Sequence, residues 1–188
     1  MSRKKRGLVF YEKKKLISGA LLKELLSLAF YTAIAISAAA LIAQGFGYRT
    51  MMNGSSMSPG IENGETVFID RVTYRLSSPK RGDVIAFYPN GNKGLGLRIK
   101  RVVAIPGETV VAKDGVLYIN DIPEANPDKI YDAMIDGGIA EKGLTLSAHE
   151  VFVLGDRRNA SEDSRSANIG AVTYDSILGK VWFHTGEL

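Results

Sequence analysis

Cysteine is absent from the 188-residue chain, so neither a disulfide framework nor a thiolate metal site can form. Histidine is scarce: His149 and His184 are the only imidazoles, too few for a structural zinc and a thin basis for a Ser-His-Asp triad. His149 precedes a strand-like run and His184 is the fifth residue from the C-terminus, so both read as structural. A nucleophile elbow is missing too, because Gly54-Ser55-Ser56-Met57-Ser58 carries Ser58 where G-x-S-x-G needs its second glycine. Gly91 to Gly96 spells G-x-x-G-x-G with no helix pattern after it, which excludes a dinucleotide loop and fits a hairpin tip. No internal repeat or low-complexity block is present.

The net charge of +4 is unevenly spread. Residues 1–23 hold Arg3, Lys4, Lys5, Arg6, Lys13, Lys14, Lys15 and Lys23 against Glu12, a local charge of +7 that leaves −3 for residues 24–188. The mildly acidic remainder offers no basic surface that would follow a phosphate backbone, and nucleic acid is not an expected partner.

After the basic segment, LLSLAFYTAIAISAAALIAQGFGY is uncharged for 24 residues, long enough to cross ~30 Å of hydrocarbon. It exceeds a signal-peptide core of about 7–15 residues, and its small residues lie inside the apolar run, so an uncleaved anchor is expected in place of a cleaved leader. A buried core helix would be shorter and show a polar stripe. The expected organisation is a basic cytoplasmic segment at 1–23, a transmembrane anchor at 24–48, and an extracytoplasmic domain at 49–188. The orientation follows from the lysines and arginines on the N-terminal side.

From about Met51 the texture becomes mainly β. Short runs rich in Val, Ile, Phe and Tyr alternate with Gly, Asn, Asp and Pro, and predict strands at 66–71, 83–88, 97–105, 109–113, 116–119, 151–154 and 177–183. Lys113-Asp114-Gly115-Val116 carries the Asp-Gly signature of a tight hairpin. Residues 121–148, with prolines, paired glycines and acids, interrupt the pattern as an insertion at a sheet edge. Met51, Met52 and Met57 suit either an interface or a core.

Without a histidine, a serine nucleophile needs lysine as its general base, and lysine serves only when burial keeps it neutral. Lys100 sits among Leu97, Ile99, Val102, Val103, Ala104 and Ile105. Alternation can point it into a dry interior, and the same pattern fits a solvated strand lysine beside Arg101.

Taken together, four ordered boxes resemble the type I signal peptidase family. Ser56-Met57-Ser58-Pro59 is similar to its S-M-x-P box, and Arg81-Gly82-Asp83-Val84-Ile85-Ala86-Phe87 to its R-G-D strand. The run from Ile99-Lys100-Arg101 to Pro106-Gly107-Glu108 resembles the box of the general-base lysine, and that from Gly155-Asp156 to Ser161-Glu162-Asp163-Ser164-Arg165 the G-D-N-R-x-x-S-x-D-S-R box. Gly115-Val116-Leu117-Tyr118-Ile119-Asn120 is similar to a non-catalytic hairpin of the family. Two positions depart: Gly60 stands where the family has Thr, and Arg157 where it has Asn.

The resemblance implies a mainly β catalytic domain with an inserted loop region behind one N-terminal transmembrane helix. It implies a membrane-bound serine endopeptidase that removes signal peptides from exported preproteins, cleaving after small residues and requiring no cofactor or metal. Ser56 would be the nucleophile and Lys100 the base. Ser161 would orient the amine, Asp163 and Arg165 would form a structural ion pair, and Ser164 would support them. Since Gly54 has no hydroxyl, main-chain N–H groups including that of Ser56 would hold the oxyanion. The expected partners are the membrane and preproteins, with association with the secretion machinery a further expectation. A non-cleaving assembly module would fit a chain lacking Ser56 or Lys100. A self-cleaving repressor with similar chemistry would carry a DNA-binding domain in place of the anchor.

Overall fold

The computed structural model describes residues 19–46, 48–125 and 131–186. Most of the basic N-terminal segment and residues 126–130 of the expected insertion lie outside the described residues. The chain divides into two compact units, Met1–Leu41 and Ile42–Leu188.

Helix α1 (Gly19–Phe46) is built from Ala, Leu and Ile, and its only charges are Lys23 and Glu24 in its first turns. At 1.5 Å per residue it is about 42 Å long. Its apolar side chains face outward all round, with Leu26, Phe30, Tyr31, Ile36 and Leu41 exposed, and none of the stretch is buried as a core helix would be. The hydroxyls of Ser27, Thr32 and Ser37 donate to the carbonyls of Glu24, Ala29 and Ala33 at 2.9 Å each. That internal satisfaction is what a hydrocarbon environment demands of polar groups.

The second unit is mainly β. Its larger sheet has seven strands, in the order β1 (Tyr48–Met51), β2 (Thr66–Asp70), β11 (Ile177–His184), β3 (Val84–Phe87), β4 (Arg98–Ala104), β9 (Glu150–Leu154) and β10 (Val172–Thr173). Every neighbouring pair is antiparallel. The smaller sheet runs β7 (Ile122–Pro123), β6 (Val116–Ile119), β5 (Thr109–Lys113), β8 (Leu144–Thr145). Its outer strands β7 and β8 come from the stretch expected as an insertion. The turn between β5 and β6 has positive φ at Asp114 (52°) and Gly115 (77°), the conformation that a two-residue hairpin needs for its twist. A short helix, α2 (Thr73–Leu76), follows β2.

Three apolar clusters hold these layers. Val103, Ala104, Phe152 and Leu154 of the large sheet pack with Val110, Leu117 and Ile119 of the small one, which joins the two sheets. Ile85, Phe87, Val102, Val151 and Val153 form a second cluster, so β9 is buried on both faces and reads as a continuous apolar run. The third gathers Met52, Met57, Ile61, Val67, Ile69 and Ile99 beneath the loop after β1. Met52 and Met57 are therefore core residues, and only Met51 is exposed.

Candidate active site

Residues 54–60 turn between β1 and β2, and three contacts fix that turn. Met57 is fully buried, the Gly54 N–H donates to Asn63 Oδ1 at 2.8 Å, and the Arg157 N–H donates to Ser56 O at 3.0 Å. Ser56 is half-buried, and among the described residues its own N–H donates to nothing. That free donor beside a hydroxyl is the arrangement an oxyanion needs.

Lys100 lies on β4, whose register with β3 pairs it with Ile85. Its side chain is 4% exposed, and Nζ lies 2.6 Å from Ser56 Oγ. Burial is the largest influence on its pKa, which is pushed down from 10.5 to about 8. Asp163, Glu162 and Asp156 pull the other way, while the charge of Arg98 adds to the lowering. When the amine is charged it donates to the serine; when neutral it presents a lone pair to the Ser56 O–H.

The loop after β9 closes the site from the other side. Gly155 is required here by space: an added Cβ would sit 2.5 Å from Ser56 O and from Ser161 Cβ, and closer still to Ser161 Oγ. Asp163 and Arg165 form a buried bidentate pair, Nε to Oδ1 at 2.8 Å and Nη2 to Oδ2 at 3.0 Å, and Asp163 Oδ2 also accepts the Gly155 N–H at 3.1 Å. Ser164 is locked to β9, with Oγ accepting the Val153 N–H at 3.0 Å and its own N–H donating to Val153 O. Ser161 Oγ is buried and, with Arg98 Nε, stands without a hydrogen-bond partner among the described residues. Ser161 thus converges on the segment that carries Ser56, but its hydroxyl makes no hydrogen bond to Lys100.

The two departures acquire a physical meaning. Gly60 packs against a second ion pair, Arg101 to Asp156 at 2.7 Å through both Nε and Nη2, and a Cβ on Gly60 would lie 2.7 Å from Asp156 Oδ2. Arg157 acts through its main chain, which is bonded to Ser56, while its side chain is exposed. Neighbouring Arg158 is buried, pairs with Glu124 at 2.7 and 2.9 Å, and lies 4.0 Å from the Tyr131 ring. The Arg101 and Arg158 pairs escaped sequence reasoning, since their partners lie 55 and 34 residues away and no periodicity links them.

A cleft of about 560 Å³ runs from Ser56 and Lys100 between Thr50–Gly54 on one wall and Gly96–Ile99 on the other. The histidines lie outside this arrangement. His184 Nδ1 contacts Glu65 Oε2 at 2.7 Å, and exposed His149 meets the Tyr174 ring edge-on.

Two outcomes follow from this geometry. Gly155→Ala is expected to cost about 1–3 kcal/mol of stability through overpacking and to displace Ser56, seen as a lowered melting temperature together with at least about a tenfold fall in turnover. Lys100→Met is expected to stabilise the protein. Because the folded pKa lies below the unfolded one, the buried ammonium costs about 3 kcal/mol below pH 8, and that cost fades as pH rises from 8 to 10.5. Denaturant midpoints of wild type and variant should therefore differ at pH 7 and converge toward pH 10.5; a gain independent of pH would contradict the burial argument.

Comparison with known proteins gives the same direction. The family model described as signal peptidase, peptidase S26, matches residues 23–185. Signal peptidase I of Bacillus caldolyticus is 32% identical over 143 residues, covering 71% of this chain and 76% of that protein. Signal peptidase IB of Staphylococcus aureus strain COL is 32% identical over 146 residues, covering 70% and 74%. The crystal structure of a signal peptidase I from Enterococcus faecalis V583 is similar at 28% identity and a TM-score of 0.43, covering 56% of this chain and 98% of that one. With a family match spanning residues 23–185 and one N-terminal apolar helix long enough to span a membrane among the described residues, this single-pass membrane protein belongs to the signal peptidase family, peptidase S26, which removes signal peptides from secreted preproteins.

Proposed function

We propose that the reaction is acyl transfer through Ser56, with Lys100 as general base. The observation that carries this reading is the 2.6 Å contact between Ser56 Oγ and a lysine amine that burial pushes toward neutrality. Neutral Lys100 takes the hydroxyl proton as Ser56 Oγ attacks the scissile carbonyl. The Ser56 N–H stabilises the oxyanion that forms. The lysine then hands its proton to the leaving amine, which departs as the new N-terminus of the mature protein. It next activates water, which releases the signal peptide from the acyl-enzyme. Ser161 orients the amine once the substrate excludes water; its buried, unbonded hydroxyl supports that role. Asp163, Ser164 and Arg165 hold the loop that carries Ser161.

The edge of β4 supports strand addition by the substrate. Val102 exchanges hydrogen bonds with Gly82 and Asp83 on the β3 side, so strand alternation turns the N–H and C=O of Ile99 to the opposite edge. Pairing with β9 begins only at Arg101, which leaves Ile99 open along the cleft. An extended peptide would pair there, with shallow pockets admitting small side chains at alternate positions.

The basic N-terminal segment favours a cytoplasmic N-terminus, with the catalytic unit on the outer face of the plasma membrane where the secretion machinery delivers preproteins. Protease added to intact cells should therefore degrade the catalytic unit, and protection would reverse the orientation. The chemistry is tested by cleavage of one preprotein across a pH series. Wild-type kcat/KM should fall as pH drops below about 8, where Lys100 takes up its proton. Ser56→Ala, Lys100→Ala and Lys100→Arg should each lose at least about a thousandfold, since guanidinium stays protonated, whereas Ser161→Ala should retain part of the rate. Substantial turnover by Lys100→Arg would disprove the neutral-base mechanism.

A further inference from the structure

One face of the second unit carries large apolar side chains that neither its core nor the proposed reaction uses. The register of β11 against β2 shifts between Val181 and Phe183, so that two residues of β11 answer one of β2. Strict alternation would send Trp182 and Phe183 to opposite sides of the sheet, but this bulge leaves both in solvent, 55% and 45% exposed. Phe68 of β2, the partner of Phe183, joins them: its ring centroid lies 5.5 Å from that of Phe183 and 6.2 Å from that of Trp182. On the neighbouring strand Arg49 is paired with Phe68, and Met51, 66% exposed, follows on the same face. Arg49 is itself exposed and makes no ion pair among the described residues.

The place of this face along the chain says what covers it. α1 ends at Phe46 and β1 begins at Tyr48, so Arg49 follows the membrane-crossing helix by three residues, a reach of about 10 Å. A bilayer carries roughly 5–8 Å of headgroup and interface beyond its hydrocarbon on each side, so β1 starts in or beside that zone. Aromatic rings are the side chains the zone selects, and an arginine beside them buries its stem while its guanidinium meets phosphate.

We propose that the outer face of β1, β2 and β11 docks in the lipid–water interface of the membrane that α1 spans, with Phe68, Trp182, Phe183 and Met51 against the upper acyl chains and Arg49 on a lipid phosphate. The inference goes beyond the reaction proposed above and does not depend on it. Because Thr50 and Met51 of β1 also line the cleft, docking holds the cleft at the membrane surface, where a preprotein retained by the apolar core of its signal peptide presents its cleavage site.

Trp182 is the only tryptophan of the chain, so its fluorescence reports on this face alone. The test places the full chain in vesicles of phosphatidylcholine and phosphatidylglycerol and measures quenching by acrylamide in the water and by lipids bearing a nitroxide high on the acyl chain. In wild type the nitroxide lipid should quench Trp182, and acrylamide should act at least about threefold more weakly than on a soluble tryptophan amide, at every ratio of protein to lipid. Phe183→Ser should raise the access of acrylamide and weaken quenching from the lipid. Arg49→Gln should do the same and remove the part of the lipid quenching that added salt weakens. Both variants should cleave a short water-soluble peptide as wild type does, since neither side chain lines the cleft. Absence of quenching by the nitroxide lipid in wild type would overturn the proposal, and acrylamide protection that then fades as the protein is diluted in lipid would assign the face to a second copy of this chain.

Discussion

The chemistry of the site depends on a lysine being kept out of water. Lys100 is buried to 4% exposure on a strand whose neighbours pack into apolar clusters on both faces, and burial is the leading reason its pKa falls to about 8. A solvated lysine would hold its proton near 10.5 and could not accept one from a serine at neutral pH. The apolar core thus lowers the pKa of Lys100 as well as stabilising the fold.

The lysine alone would be idle without a serine held at bonding distance, and the chain solves this with backbone. The Ser56 turn has no strand ladder to fix it. It is anchored by Met57 in the core and by the main-chain bond from Arg157. Gly155 lets the post-β9 loop press against Ser56 O, and Asp163, bonded to both Gly155 and Arg165, fixes that loop in turn. The proposed nucleophile, base and supporting serines therefore come from three segments distant in sequence whose relative positions are set by close approach and buried polar contacts.

What was legible in the sequence follows the range of the forces involved. Strands of four or more residues with apolar alternation were found to within a residue or two, and the Asp114-Gly115 turn was read from the positive φ it needs. The two-residue strands β7, β8 and β10 are too short to show a period, and β1 was hidden at the end of the apolar run. Met52 and Met57 were ambiguous because methionine suits core and interface equally, and only packing decides. Lys100 was ambiguous by pattern alone. The dispersed family-like boxes, not periodicity, nominated it with Ser56, and the arginine pairs at Asp156 and Glu124 left no local signal at all.

Those arginine pairs bear on how a lysine surrounded by acids can keep the lowered pKa that the proposed base needs. Asp163, Glu162 and Asp156 all favour the ammonium form of Lys100, and left bare they would oppose the effect of burial. Each is matched by an arginine: Arg165 on Asp163, Arg98 on Glu162, and Arg101 on Asp156. A carboxylate paired with a guanidinium acts on Nζ as a dipole rather than as a net charge, and its influence falls off more steeply with distance. The Asp163–Arg165 and Asp156–Arg101 pairs are short and well buried on the acid side, so salt and water do little to loosen them. Glu162–Arg98 is long and exposed at the cleft rim, so water and salt screen it far more than the other two.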